Sequence, residues 1–160
     1  MLPAGSIVMW GSASPPPAGW LICDGAVYDQ DAYRKLFESI GHNFGDPQRS
    51  AGFDPTTQFF VPDLRGRFVR GVDDTSKGTP RDPDRDARQD MQSGVIVGPQ
   101  VGSIQDDQFE QHTHGYNFLG AYGGIASGDY WAFRVDQTGS AGGSETRPLN
   151  AYVFFIICTG

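Results

Sequence analysis

The chain has 160 residues, with 22 glycines and 11 prolines, a formal net charge of −7 and a pI of about 4.7. Its length suits one domain with a modest core, and its composition favours turns and irregular stretches over long helices. The acidity argues against free nucleic acid as a partner, since affinity there comes from Lys and Arg neutralising phosphates; a neutral glycan or a cation-bridged surface is compatible.

No run approaches the ~18 apolar residues of a membrane span, so no membrane insertion is expected. The first residues, Met-Leu-Pro-Ala-Gly-Ser, lack the charged and apolar regions of a secretory signal. The chain is expected to be made in the cytoplasm without a signal peptide, and either to stay there or to be exported by assembly into something larger. Gly5 to Trp10 reads as a short strand, and Pro15 to Pro17 make the next stretch a stiff extended loop. Trp20 to Cys23 is a second strand, and Asp24-Gly25 is a hairpin-type turn signal. Asp29 to Ile40 is the one convincing helix: Tyr33, Leu36, Phe37 and Ile40 form an apolar stripe. Asp29 suits its N-cap and Gly41 its stop. His42 reads as a cap or loop contact.

Asn43 to Thr57 is loop by composition, and Phe59 to Val61 is a brief strand. Arg65 and Arg67 point the same way in an extended segment and can pair with Asp24 or Asp63. Asp73 to Asp90 is polar. Asp82, Asp84 and Asp86 resemble the start of a calcium loop, but the later glycine and the distant glutamate are missing. Arg81, Arg85 and Arg88 are interleaved with them, so a self-paired loop is the alternative. Val95 to Val97 is a further short strand.

His112-Thr-His114 holds two of the three histidines. In an extended segment both imidazoles lie on one face, roughly 7 Å apart. Two ligands fall short of the ~four of a zinc site and the ~six of an octahedral one. A threefold axis would turn one pair into six nitrogens. The alternative is two exposed loop histidines. Gly115 to Gly143 is rich in glycine, serine and aromatics. Tyr116, Tyr122, Tyr130, Trp131, Phe133 and the adjacent Arg134 are candidates for an adaptable binding surface. Equally, the aromatics could pack against one another across a subunit axis. Ala151 to Cys158 is apolar on both faces and reads as a buried central strand. Cys23 and Cys158 are too few for a disulfide scaffold; two free buried thiols are expected, with a single Cys23–Cys158 bridge the alternative if their strands are neighbours.

Gly5-Ser-Ile-Val-Met-Trp10, Pro17-Ala-Gly-Trp-Leu-Ile-Cys-Asp-Gly25, Tyr33 to Gly41 and Pro62-Asp-Leu-Arg-Gly-Arg-Phe-Val-Arg-Gly71 together resemble the phage tail collar domain. Val101-Gly-Ser-Ile-Gln-Asp-Asp-Gln108, His112-Thr-His114 and Gly143 to Asn150 resemble the C-terminal part of phage tail fibre proteins. The resemblance implies a homotrimeric, non-enzymatic virion-tail component. It would adsorb to a host glycan or outer-membrane protein and contact other tail or baseplate proteins. It also implies that His112 and His114 of three chains share a divalent metal ion, iron or zinc, on the axis. The absence of a fibrous repeat suggests a tip fragment, a short fibre or a separate subunit.

The expected fold is predominantly β, with one short helix and long irregular loops, intertwined as a trimer. A collar-like part (1–98) and a tip segment (99–160) would act as one unit. A purely structural collar of a tail or phage-derived injection machine is the competing function. Catalysis is not expected: there is no nucleophile elbow, no phosphate loop and no HExxH motif.

Overall fold

Apolar side chains at every position of Phe-Phe-Ile-Ile-Cys suit a strand covered on both faces, and that strand is central in the main sheet. The structure, a computed structural model, describes residues 2–45, 52–73, 78–107 and 150–160. Among these lie strands β1 (Ile7–Trp10), β2 (Trp20–Ile22) and β3 (Val27–Asp29), helix α1 (Arg34–Ile40), and strands β4 (Gln58–Phe60), β5 (Gln89–Asp90), β6 (Ser103–Ile104) and β7 (Phe154–Cys158). The main sheet has the order β1-β7-β2, antiparallel throughout, with Ile7 opposite Ile157 and Leu21 opposite Ile157 on the other side. Two small ribbons, β3-β4 and β5-β6, complete the set. Among the described residues the fold is predominantly β with one short α-helix. No helix among the described residues is long and apolar enough to cross a membrane.

The core forms where α1 lays Leu36 and Ile40 against Cys23, Phe59, Val61 and Ile157. Fully burying a side chain such as Phe59 or Leu36 contributes about 1.5–3 kcal/mol. A helix of this length gains little from propensity, so this packing is what holds it. Gly41 ends it at φ +51, donating its N–H to the Phe37 carbonyl at 2.7 Å.

The helix starts later than its apolar stripe suggests. Val27 to Asp29 pair with Gln58 to Phe60, and the Gln30 N–H and side chain bond Thr57, Pro55 and Gln58 carbonyls. Ladder hydrogen bonds therefore claim the residues expected to open the helix. Asp29 is not the helix cap: the N-cap is Tyr33, without a side-chain cap bond, and the Asp29 carboxylate accepts the Ala32 N–H at 2.8 Å in the turn before α1. Asp24-Gly25 does not close a hairpin either. Asp24 bridges to Asp63, and β2 and β3 join different sheets.

The two cysteines are free and buried. Cys158 lies opposite Trp20, whereas the Cys23 N–H bonds the Phe155 carbonyl. Odd and even positions of β7 face opposite ways, so the two thiols point to opposite sides of the sheet. Burial, and then the nearby Asp24 charge, push the Cys23 thiol up to about 12, which keeps it protonated and inert.

Candidate functional site: the anchor of the His-x-His segment

Residues 101–107 precede His112 and His114 in the sequence, and Gly102 to Gln105 are held by close packing, a short ladder and side-chain hydrogen bonds. Gly102 has φ +86 and passes so close to α1's exit that an added Cβ would sit 1.8 Å from the Asn43 carbonyl oxygen. Only glycine permits both the backbone angle and the approach. Ser103 and Ile104 then form β6 against β5.

Arg88 locks this ribbon. Its Nε donates to the Ser103 hydroxyl at 2.8 Å and its Nη2 to the Ser103 carbonyl at 2.7 Å. Its Nη1 donates to Asp82 Oδ2 at 3.0 Å and to Gln105 Oε1 at 2.5 Å. Gln105 returns its amide to Asp82 Oδ1 and to the Asp84 carbonyl, both at 3.1 Å. The Arg88 carbonyl accepts the N–H groups of Val97 and Gly98. One guanidinium thus joins the polar loop to the strand that carries the chain toward residue 108.

Asp82 is buried at 3% exposure. Burial alone would raise its pKa. Hydrogen bonds from Gln105 and Arg88, with the Arg70 charge, outweigh burial and hold the carboxyl below its ordinary range. A carboxylate depressed on folding contributes stability above its unfolded pKa and loses it as pH falls through the folded value. Wild-type stability is therefore expected to fall below about pH 4 in part through this group. Asp82→Asn should cost about 1–3 kcal/mol at neutral pH, and its stability should depend less on pH in that acid range. Urea titrations between neutral pH and the carboxylate range check both effects.

Asp82, Asp84 and Asp86 are not gathered as a ligand set. Asp82 faces Arg88 and Gln105, while Asp86 is exposed and pairs with Arg85. Among the described residues no group of three His, Cys, Asp or Glu side chains could hold a metal. His112, His114, Tyr116, Tyr122, Tyr130, Trp131, Phe133 and Arg134 lie outside the described residues. His42 packs edge-on against Phe37 and Phe53, with a buried Nδ1 that makes no hydrogen bond. Arg65 forks onto both oxygens of Asp63 at 2.8 and 2.7 Å, and this hydrogen bonding is the main reason that the Asp63 carboxyl is lowered. Nothing in the sequence marks Ser103 and Gln105 as functional beyond the block that they share with Gly102.

The phage tail collar domain matches residues 5–69. The protein StfE of Escherichia coli (strain K12) is 33% identical, over 98% of this chain and 87% of StfE. The chain belongs to the phage tail collar family. Within this collar protein the matched stretch holds β1 to β4, α1 and the Asp63–Arg65 pair. The Arg88 network and β7 lie outside it, so the collar strands β1 and β2 take their shared partner from elsewhere in the sequence. Protein RhiB of Rhizobium leguminosarum bv. viciae is 32% identical over 87% of the collar protein, which spans 63% of RhiB. The short tail fiber protein gp12 of Enterobacteria phage T4 is 29% identical over 98% of the collar protein, which spans 35% of gp12.

Proposed function

We propose that this chain is a tail-fibre component that works as a homotrimer at a tail tip, attaching the particle to a host-surface glycan or outer-membrane protein. The similarity to the short tail fiber protein gp12, running along 98% of this chain, carries the reading. In it, His112 and His114 of three chains supply six imidazole nitrogens to one divalent ion, iron or zinc, and so tie the copies together. Tyr116, Tyr122, Tyr130, Trp131, Phe133 and Arg134 present the receptor surface. The chain does no catalysis; it recognises and holds, and its other contacts are with tail or baseplate proteins.

Mass in solution, read together with metal content, tests this. The expected particle contains three chains and about one ion. Replacing both His112 and His114 with alanine should reduce the metal to background and lower the melting temperature. Acidification through the imidazole range, near pH 6.5, should release the ion from the wild type. An unchanged melting temperature in the double variant would remove the metal from the account, and a monomeric wild type would remove the trimer. Retention of purified protein on host cells, displaced by excess free protein, tests the receptor half.

A further inference from the structure

Backbone N–H groups inside a fold are mostly answered by oxygen, but the N–H of Asp63 is answered by sulfur. Asp24 and Asp63 face each other in an antiparallel bridge. Its hydrogen bonds come from the flanking residues: the Gly25 N–H bonds the Pro62 carbonyl at 3.2 Å, and the Leu64 N–H bonds the Cys23 carbonyl at 3.0 Å. In such a pair the Asp63 N–H points away from Asp24. It donates to Met91 Sδ at 3.0 Å, and a thioether is a weak acceptor.

Met91 reaches this amide from a turn with little freedom to follow it. The buried Asp90 carboxylate accepts the N–H groups of Gln92 and Ser93 at 3.1 and 2.8 Å and the Ser93 hydroxyl at 2.8 Å. The Asp90 N–H bonds the Val95 carbonyl and the Gly94 N–H the Asp90 carbonyl. Gln92 then presses onto two glycines. A Cβ added at Gly45 would lie 2.9 Å from its Cγ, and one added at Gly25 would lie 3.3 Å from its Nε2. The turn 90–95 lies outside the stretch matched by the collar domain, and Met91 fastens it to residue 63 inside that stretch.

We propose that Met91 is an oxidation site, and that converting its thioether to the sulfoxide with a peroxide unfastens the turn 90–95 from the collar stretch. Met91 is half-buried, packed against the core with part of its surface in water, so a small oxidant can reach it. A sulfur lone pair attacks one peroxide oxygen, and the O–O bond breaks. Sulfur is oxidised by two electrons, and the second oxygen leaves as water with both peroxide protons. Either sulfoxide epimer disturbs the joint. An N–H···O bond needs ~2.7–3.2 Å by itself, so an oxygen facing Asp63 does not fit in the 3.0 Å between sulfur and nitrogen. An oxygen on the other lone pair places a polar group against the apolar core.

A hydrogen peroxide time course on the full-length chain tests this, with peptide mass spectrometry for each methionine. Met9, 70% exposed, is the internal reference and should react first without moving the melting temperature. As Met91 converts, the melting temperature should fall by about 3 °C or more. The Asp63 amide should exchange with solvent about tenfold faster or more. Met91→Leu conserves volume, removes the reactive sulfur, and should hold its melting temperature in the same peroxide. Four results overturn the proposal: Met91 staying reduced after Met9 has reacted fully; Met91 converting with neither reading moved; a loss already complete when only Met9 has reacted; or an equal loss in Met91→Leu. The time course decides on the wild type alone if that variant does not fold.

Discussion

Arg88→Ala is expected to lower folding stability by about 3–5 kcal/mol, as breaking a buried ion pair from one side does. The reason is what remains behind. Asp82 is buried, and its Oδ2 would keep only the more distant Arg70, at 3.8 Å. Ser103 would lose two bonds and Gln105 the partner of its carbonyl. Arg88→Lys should recover little, because one ammonium cannot reproduce a fork that reaches Asp82, Gln105 and Ser103 together. Chemical denaturation of both variants at neutral pH measures the loss. The double variant with Asp82→Asn should cost less than the sum of the singles, since the buried charge that Arg88→Ala strands is then gone. Additive losses would show that the two groups act separately.

Gly102→Ala is expected to cost about 3 kcal/mol or more, combining left-handed backbone strain with overpacking. The methyl would meet a backbone oxygen at 1.8 Å, so no rotamer change relieves it; either β6 or the turn after α1 must move. Against a typical net stability of ~5–15 kcal/mol this is a large fraction. Gly66 makes a matched control. It also has positive φ, at +67, but nothing lies within 4 Å of its added Cβ. Gly66→Ala should show the strain alone, about 1–2 kcal/mol. Equal melting temperatures for the two variants would mean that the segment yields easily at Gly102.

Much of the frame is legible in the sequence because it depends on short periodicities. Leu36 and Ile40 fall on one helical stripe, and both are buried. The run from Ala151 to Cys158 is apolar on both faces; its second part, Phe154–Cys158, proves to be the central strand, while Ala151 to Val153 lie outside the ladder and Tyr152, Val153 and Phe154 are exposed. Arg65 and Asp63 are two residues apart, within reach of any extended segment, and they do pair. The misjudged positions are those where a distant partner outbids a local signal. The onset of α1 yields to β4, and Asp24-Gly25 yields to Asp63. The Arg88 network is hidden for the same reason. Its partners Asp82, Ser103 and Gln105 lie 6, 15 and 17 residues away, spacings that no helix or strand period links. Interleaved charge shows that Arg88 will find an aspartate, but not that the same side chain holds the strand leading to His112. The histidines and aromatics of the candidate site fall outside the described residues, so their roles stand on resemblance and chemistry.

The placing of β7 between β1 and β2 has a consequence for biosynthesis. Among the described residues, β1 and β2 bond no strand other than β7, which follows every other described strand in the sequence. On the ribosome the two early strands must wait, open to proteases and to stray pairing, until residues 154–158 have emerged. A product cut short before Phe154 cannot zip its main sheet.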